Sequence, residues 1–248
     1  MIKNQFCAAS NLHAYPSGRI LRLRASPFLH GQYGNSESTI LMFNLNEAFR
    51  IQQKFPVWHE NLENSFSIVT TTMADRQLCQ LTWEQEVKFV SEFQPCYYIP
   101  SDVPTYLTQN ANTRRFYILE SGNSALNIVK TLKRIPENHA QIIPLIKGTN
   151  HEEFTLSYSL FKLHGFHYFA YYCAQYFIYG RRSNQLIEDV RDILRIIGND
   201  SLLLIGVGSQ NILRNFQGKI QSFASYNRTS KKNIPSGEYQ TILFEHWR

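Results

Sequence analysis

From about residue 95 onward, short runs of β-branched and aromatic residues alternate with longer amphipathic runs, and this alternation limits the possible folds more than any other feature. It is typical of βα units joined into a parallel sheet. Between the strands, two helical patterns end at Gly165 and Gly198, where a helix often stops. Five strands are predicted in this part of the chain, over residues 96–100, 141–146, 167–172, 201–205 and 219–223.

The first third of the chain completes the strand count. Helices are predicted over residues 46–55 and 82–93, and Thr82 with Gln85 forms a capping box at the start of the second. Residues 113–135 have a mainly helical pattern, with 116–119 as a possible short strand. Three further strands are predicted, over residues 20–24, 39–44 and 66–71.

Eight strands of this kind predict an α/β fold, a (β/α)8 TIM-like barrel, as one domain over residues 1–248. Residues 230–248 are expected to form a C-terminal loop followed by a short tail element. A doubly wound open sheet is the alternative.

Composition narrows the class of protein. The 248 residues are 43% hydrophobic, enough for a large core, and 25 Lys and Arg against 19 Asp and Glu give a net charge of +6, which favours a polyanionic partner. The chain lacks an apolar signal segment and a run of about 18 apolar residues, so a cytoplasmic protein without a membrane span is expected. The scattered cysteines suggest reduced thiols, and neither a metal nor a cofactor is expected. They are Cys7, Cys79, Cys96 and Cys173.

Catalytic groups of parallel α/β folds lie where the strands end, which directs attention to two carboxylates. Asp102 follows an apolar strand, and a partly desolvated carboxyl at that position suits general acid/base chemistry. A turn aspartate before Val103 and Pro104 is the alternative. Asp75 follows another strand. It is either a second catalytic carboxylate or the cap at the start of a helix.

Other residues at strand ends suit binding. Lys147 and Gly148 follow one strand, and a lysine there either binds an anion or is simply solvated. Gly206 and Gly208 precede a predicted helix over residues 210–216, where they either bring backbone N–H groups to a phosphate or make a tight turn.

Aromatic and basic residues near the strand ends suit a nucleic acid. Tyr171 or Tyr172 could stack on a base, although packing in the core is the ordinary role of such residues. Ser222 lies at the end of the last predicted strand. Three arginines in predicted loops or at helix edges either contact a phosphate backbone or form a solvated surface. They are Arg181, Arg182 and Arg228.

Three stretches resemble a known family. These are IIPLIKGTNHEEFTLSYSLFKLHGFHYFAYYCAQ, LLLIGVGSQNILRNF and IQSFASYNR, which together resemble the C-terminal half of the tRNA-guanine transglycosylases and of their relatives that insert 7-deazaguanines into DNA. The resemblance covers roughly residues 97–228, and GVGSQNILRNF with the strand after it is its most specific part.

The resemblance implies a glycosyltransferase that exchanges a base of tRNA or DNA, with Asp102 in base recognition and acid/base chemistry. In that family a carboxylate attacks the ribose anomeric carbon, displaces guanine and leaves a glycosyl-enzyme that the modified base captures. The implied partners are a nucleic acid and a purine or 7-deazapurine base, with a protein partner or a second copy as a further possibility.

This chain departs from the family pattern in four places. Residues 221–224 contain no carboxylate where the nucleophile is expected, and Lys147 replaces a glutamine. Tyr171 and Tyr172 replace a glycine pair, and the zinc-binding cluster is absent. Two alternatives therefore stay open: a non-catalytic nucleic-acid-binding subunit, and an unrelated barrel enzyme that uses Gly206, Gly208 and Lys147 on a phosphorylated small molecule.

Overall fold

A computed structural model describes residues 15–22, 40–54, 66–73, 78, 81–178 and 182–226. The architecture is α/β, and the eight strands found in these residues form one parallel sheet whose order is β5-β4-β3-β2-β1-β8-β7-β6. The strands are β1 Gly18–Arg22, β2 Ile40–Asn44, β3 Phe66–Thr70, β4 Tyr97–Ile99, β5 Gln141–Ile142, β6 Tyr168–Tyr172, β7 Ser201–Ile205 and β8 Ser222–Tyr226.

The α-helices of the described residues connect these strands and cover one face of the sheet. They are α1 Leu45–Lys54, α2 Trp83–Phe93, α3 Ala111–Leu132, α4 His151–Lys162, α5 Gln175–Ile178, α6 Ser183–Ile197 and α7 Gln210–Leu213, with a 3₁₀ turn at Arg214–Phe216. The capping box predicted at Thr82 is confirmed, since Gln85 N–H donates to Thr82 Oγ1 at 3.3 Å. Gly165 and Gly198 follow α4 and α6 with positive φ, as predicted.

The sheet is curled around an apolar cluster on its other face. Every strand, or the segment directly after it, contributes to this cluster, as side chains from parallel strands do when a sheet bends on itself. Its buried members are Ile20, Met42, Ile68, Cys96, Tyr97, Ile99, Ile143, Leu145, Tyr168, Ala170, Leu203, Ile205 and Ala224. Two further clusters lie between the sheet and the helices, one beside β2–β4 and one beside β6–β8.

The outer strands β5 and β6 approach each other through one isolated parallel bridge, Leu145 with Ala170. Ala170 N–H donates to Pro144 O at 2.9 Å, and Ile146 N–H donates to Ala170 O at 2.8 Å. Regular pairing of β5 ends at Ile142, so the strand predicted over residues 141–146 is only partly regular.

Two sequence-based assignments are wrong in detail. Residues 116–119 belong to α3 and form no strand, because an apolar run this short has no period of its own and the surrounding helix determines its conformation. The last strand begins at Ser222 rather than 219, because Gly218 adopts φ +71° and Lys219 N–H closes a turn onto Phe216 O at 2.9 Å. The predicted C-terminal tail lies outside the described residues.

Candidate functional site

Asp102 and Lys147 form a buried ion pair where the parallel strands end, an edge called the carboxyl edge below. Asp102 follows β4, Lys147 follows the segment after β5, and these strands are neighbours in the sheet. The two residues are 7% and 8% exposed, and Lys147 Nζ donates to Asp102 Oδ1. Two residues that are 45 positions apart in the chain therefore share one buried site, as their places after neighbouring strands suggest.

Ser101 gives the turn before Asp102 an unusual backbone. Its φ is +53°, in the left-handed region that residues other than glycine rarely adopt. Val103 N–H donates to Ser101 O at 2.9 Å, and Ser121 Oγ from α3 donates to the same oxygen. Asp102 N–H donates to Thr71 Oγ1 at 3.0 Å, which anchors the turn to the residue after β3.

Glu86 of α2 contacts this turn from the helix layer. Its Oε2 accepts from Tyr98 OH at 2.7 Å and from Ser101 N–H at 3.1 Å, and its Oε1 lies 3.2 Å from Ser101 Oγ. Burial raises the pKa of Glu86 to about 7, against the hydrogen bonds from Tyr98 and Ser101, which lower it. Glu86 is not among the site residues predicted from the sequence. Its signal is a carboxylate in register with the apolar face of α2, three and four residues before Phe89 and Val90.

Arg22, the last residue of β1, is a further buried charged group at the carboxyl edge. Its Nη2 donates to Thr72 O at 2.8 Å and to Thr72 Oγ1 at 3.0 Å, and its guanidinium carbon lies 5.9 Å from the ring centroid of Tyr172. Arg22 is only 4% exposed. It too is absent from the predicted site residues, although an arginine two residues after the inward-facing Ile20 in a strand is a detectable signal.

Tyr172 and Tyr171 lie on opposite faces of the sheet. Tyr172 ends β6 and packs partly buried against the inner cluster, beside Arg22. Tyr171 faces the helix layer, where its hydroxyl is hydrogen-bonded to that of Tyr176, which donates to Asp189. The predicted base-stacking role of Tyr171 therefore does not fit its position, because neighbouring strand residues point to opposite faces.

Ser222 is also misplaced by the sequence-based assignment. It lies at the start of β8, at the amino-terminal edge, and its Oγ is 2.5 Å from Tyr168 OH. Tyr168 OH also donates to Pro16 O. Ser222 therefore belongs to the end of the sheet opposite Asp102.

The glycines near the carboxyl edge allow close packing. Gly148 has φ +138°, and a Cβ there would lie 2.7 Å from Glu153 Cβ. Gly206 has φ +88°, and its Cβ would lie 2.8 Å from Ala174 Cβ, while a Cβ on Gly208 would meet Ser225. Because α7 has only four residues, these contacts favour the tight-turn interpretation of Gly206 and Gly208 over the phosphate interpretation.

The predicted backbone-binding arginines are only partly described. Arg182 is exposed and directly precedes α6. Arg181, Arg228 and the second candidate carboxylate, Asp75, lie outside the described residues.

A groove of about 780 Å³ lies at the amino-terminal edge, away from Asp102. Its lining includes Arg191, Arg195, Asp200, Lys219 and Gln221. The C-terminal end of α6 contributes Gly198, and helix carbonyls there carry partial negative charge. Opposite charges are therefore mixed along this groove, whereas the carboxyl edge brings its charged groups into direct contact.

The carboxyl edge combines acceptors, donors and an aromatic ring. Through the consecutive residues Thr71 and Thr72, the Arg22 side chain is linked to the Asp102–Lys147 pair.

Among the described residues, no cluster of three His, Cys, Asp or Glu side chains is placed to hold a metal ion. No helix in the described ranges has the length and apolar content needed to cross a membrane. No family model matches the chain, and no curated protein matches its sequence.

Proposed function

We propose that the curled sheet closes into a (β/α)8 barrel and that the carboxyl edge is the mouth of its binding site. The bridge between Leu145 and Ala170, with its two backbone hydrogen bonds, supports closure. The inner apolar cluster supports it as well, because barrel interiors are filled by side chains from every strand. Enzymes with this fold carry their active sites at the carboxyl ends of the strands.

At this mouth we propose a transglycosylase-like function: recognition or exchange of a guanine or 7-deazaguanine base of tRNA or DNA. The observation that carries the proposal is the buried Asp102 carboxylate in contact with the Lys147 ammonium. Guanine presents a carbonyl acceptor next to N–H donors on one edge, and an adjacent cation and carboxylate complement that pattern.

Asp102 and Lys147 retain hydrogen-bonding capacity beyond their own contact. A carboxylate has about four lone-pair sites and an ammonium has three N–H donors. Tyr172 offers a ring for stacking beside Arg22, at the same carboxyl edge, and the positive charge of Arg22 suits the phosphate of a bound nucleotide. In this proposal Asp102 accepts from the base and moves its proton, while Lys147 donates to the base carbonyl.

A non-catalytic nucleic-acid-binding subunit is the second candidate. The observation that favours it is the composition of β8, where Ser222, Phe223, Ala224 and Ser225 offer no carboxylate to attack a ribose carbon. Asp75 stays the candidate for a second carboxylate in the catalytic version. The third candidate, an enzyme acting on a phosphorylated small molecule, loses support because Gly206 and Gly208 pack against protein atoms.

A base-exchange assay separates the first two candidates. The purified chain is incubated with tRNA or double-stranded DNA and with labelled guanine or 7-cyano-7-deazaguanine, and the label retained in the polymer is counted. We expect retained label in the wild type and none in Asp102→Asn, with Glu92→Gln, an exposed carboxylate, as the matched control. Salt-sensitive polymer binding without label would support the binding subunit, and activity in Asp102→Asn would contradict the role of Asp102.

A further inference from the structure

The Ser101–Asp102 turn has a conformation that its own residues do not favour. A serine at φ +53° persists only where surrounding contacts hold it, and such residues concentrate at functional sites. The backbone direction at Ser101 decides where the following side chain points. The contacts that hold Ser101 therefore also decide whether the Asp102 carboxylate meets Lys147.

Glu86 makes more of these contacts than any other side chain around the turn. It accepts from Ser101 N–H and lies within hydrogen-bond distance of Ser101 Oγ. Tyr98, the middle residue of β4, donates to the same carboxylate and fixes its orientation. Ser124 of α3, 3.1 Å from Ser101 Oγ, completes the set on the other side.

Glu86 also lies away from the side of Asp102 that faces Lys147, where a ligand would bind. It is 3% exposed and reaches the turn from α2, in the helix layer, whereas Lys147 reaches Asp102 from the segment after β5. A buried carboxylate with only a structural role could accept hydrogen bonds from any nearby donors. Glu86 instead makes two of its contacts with Ser101, the residue directly before Asp102.

We propose that Glu86 is a positioning residue of the site: its carboxylate holds Ser101 in the left-handed conformation and so directs Asp102 onto Lys147. This rests on the proposed function only in taking Asp102 as the ligand-binding group. The titratable and charged groups that face this assembly are Tyr98 beside Glu86, and Lys147 beside Asp102.

Two substitutions at Glu86 distinguish positioning from packing. In Glu86→Gln, the amide oxygen can accept from Tyr98 OH and Ser101 N–H while the amide NH₂ donates to Ser101 Oγ, which then donates to Ser124 Oγ. The contacts to Ser101 are thus preserved without the charge. Glu86→Met has a similar length but cannot accept these hydrogen bonds, so it releases the turn.

The readout is the acylation of Lys147 by an amine reagent, followed by peptide mass spectrometry and normalised to the exposed Lys130 and Lys133. Lys147 is only 8% exposed and its Nζ is held by Asp102, so the reagent reaches the amine poorly while the turn keeps this contact. We expect acylation of Lys147 to rise about fivefold or more in Glu86→Met, the effect of losing one such hydrogen-bonded restraint. It should stay near the wild-type rate in Glu86→Gln and in the control Glu92→Gln.

Equal Lys147 rates in wild type and Glu86→Met would overturn the inference, and so would a rise in both Glu86 variants. If Glu86→Met does not fold, Glu86→Asp, which withdraws the carboxylate by one methylene, takes its place with the same expectation. The proposed function is tested separately by base binding and exchange in the wild type. A wild type inactive toward base and nucleic acid, with the expected Lys147 pattern, would refute that function and leave the positioning role intact.

Discussion

Asp102 and Lys147 are each buried with the other as ion-pair partner, so their energies cannot be separated by single substitutions. Removing one partner leaves a buried charge, which costs about 3–5 kcal/mol, whereas replacing both costs much less than the sum. We expect Asp102→Asn and Lys147→Met each to be strongly destabilising, and the double variant to recover part of the loss. Urea unfolding of the four proteins measures this.

The exposed pair Lys88–Glu92 is the control for that cycle. Its side chains are 77% and 51% exposed, and its atoms are 4.0 Å apart. Lys88→Met should change the free energy of unfolding by less than about 0.5 kcal/mol, because water screens such pairs. Strictly additive effects of Asp102→Asn and Lys147→Met would contradict the buried ion pair.

Glu86 gives the protein a pH-dependent stability of definite sign. Because its folded pKa of about 7 lies above the ordinary value of 4.5, the folded state binds this proton more tightly. The free energy of unfolding should therefore fall as pH rises from about 4.5 to about 7, by up to about 3 kcal/mol. Glu86→Gln lacks this contribution, so urea unfolding across that range should show it more stable than wild type above pH 7. Parallel pH profiles of the two proteins would contradict the raised pKa.

Sequence reasoning located the candidate site where it depended only on strand ends. Asp102 and Lys147 lie at the carboxyl edge as predicted, because the place where an apolar strand stops is visible in the sequence. Tyr171 was misassigned because successive strand residues face opposite sides of the sheet, so an error of one residue in the strand register places a side chain on the wrong face. Glu86 and Arg22 each carry a local signal, a charged residue in register with an apolar face, but the groups that they contact are distant in the chain and cannot be read from that signal.

At the scale of elements, the turn after β7 depends on glycine for two separate reasons. In Gly206→Ala the alanine would have a strained φ of +88°, and its Cβ would clash with Ala174 Cβ at 2.8 Å. In Gly198→Ala the alanine would have a strained φ of +62°, but its Cβ would have no atom within 4 Å. We expect Gly198→Ala to cost about 1 kcal/mol and Gly206→Ala at least about 2 kcal/mol, measured by thermal or urea unfolding. Equal costs would show that the contact with Ala174 is not rigid.

The helices were predicted well where one of their ends carried a cap signal. Thr82 and Gly198 mark the start of α2 and the end of α6 by cap chemistry that needs no tertiary contact. The errors fell where such signals were missing or ambiguous. The apolar residues 116–119 fit either period, and the start of β8 depended on a turn at Gly218 that the alternating pattern after it obscured.

At the scale of the whole molecule, closure of the sheet is the feature that the sequence alone leaves open. A closed barrel and an open sheet use the same alternation of strands and helices, and they differ only in whether the two outer strands meet. Here the approach falls on residues 144–146, after the regular part of β5, and on Ala170 in the middle of β6. A barrel needs this junction to be as stable as its other ladders, since it has no free edge.

Amide hydrogen exchange tests that junction directly. If the barrel is closed, the amides of Ile146 and Ala170 open only with the global structure, and their protection should lie within about tenfold of that of Cys173, whose N–H donates to Ile205 O between β6 and β7. Gly165, at the exposed end of α4, is the fast-exchanging control. Exchange of Ile146 and Ala170 at the rate of Gly165 would mean that β5 and β6 are free edges. The mouth would then be an open cleft, and Lys147, directly after the junction, would lose the fixed position on which its contact with Asp102 depends.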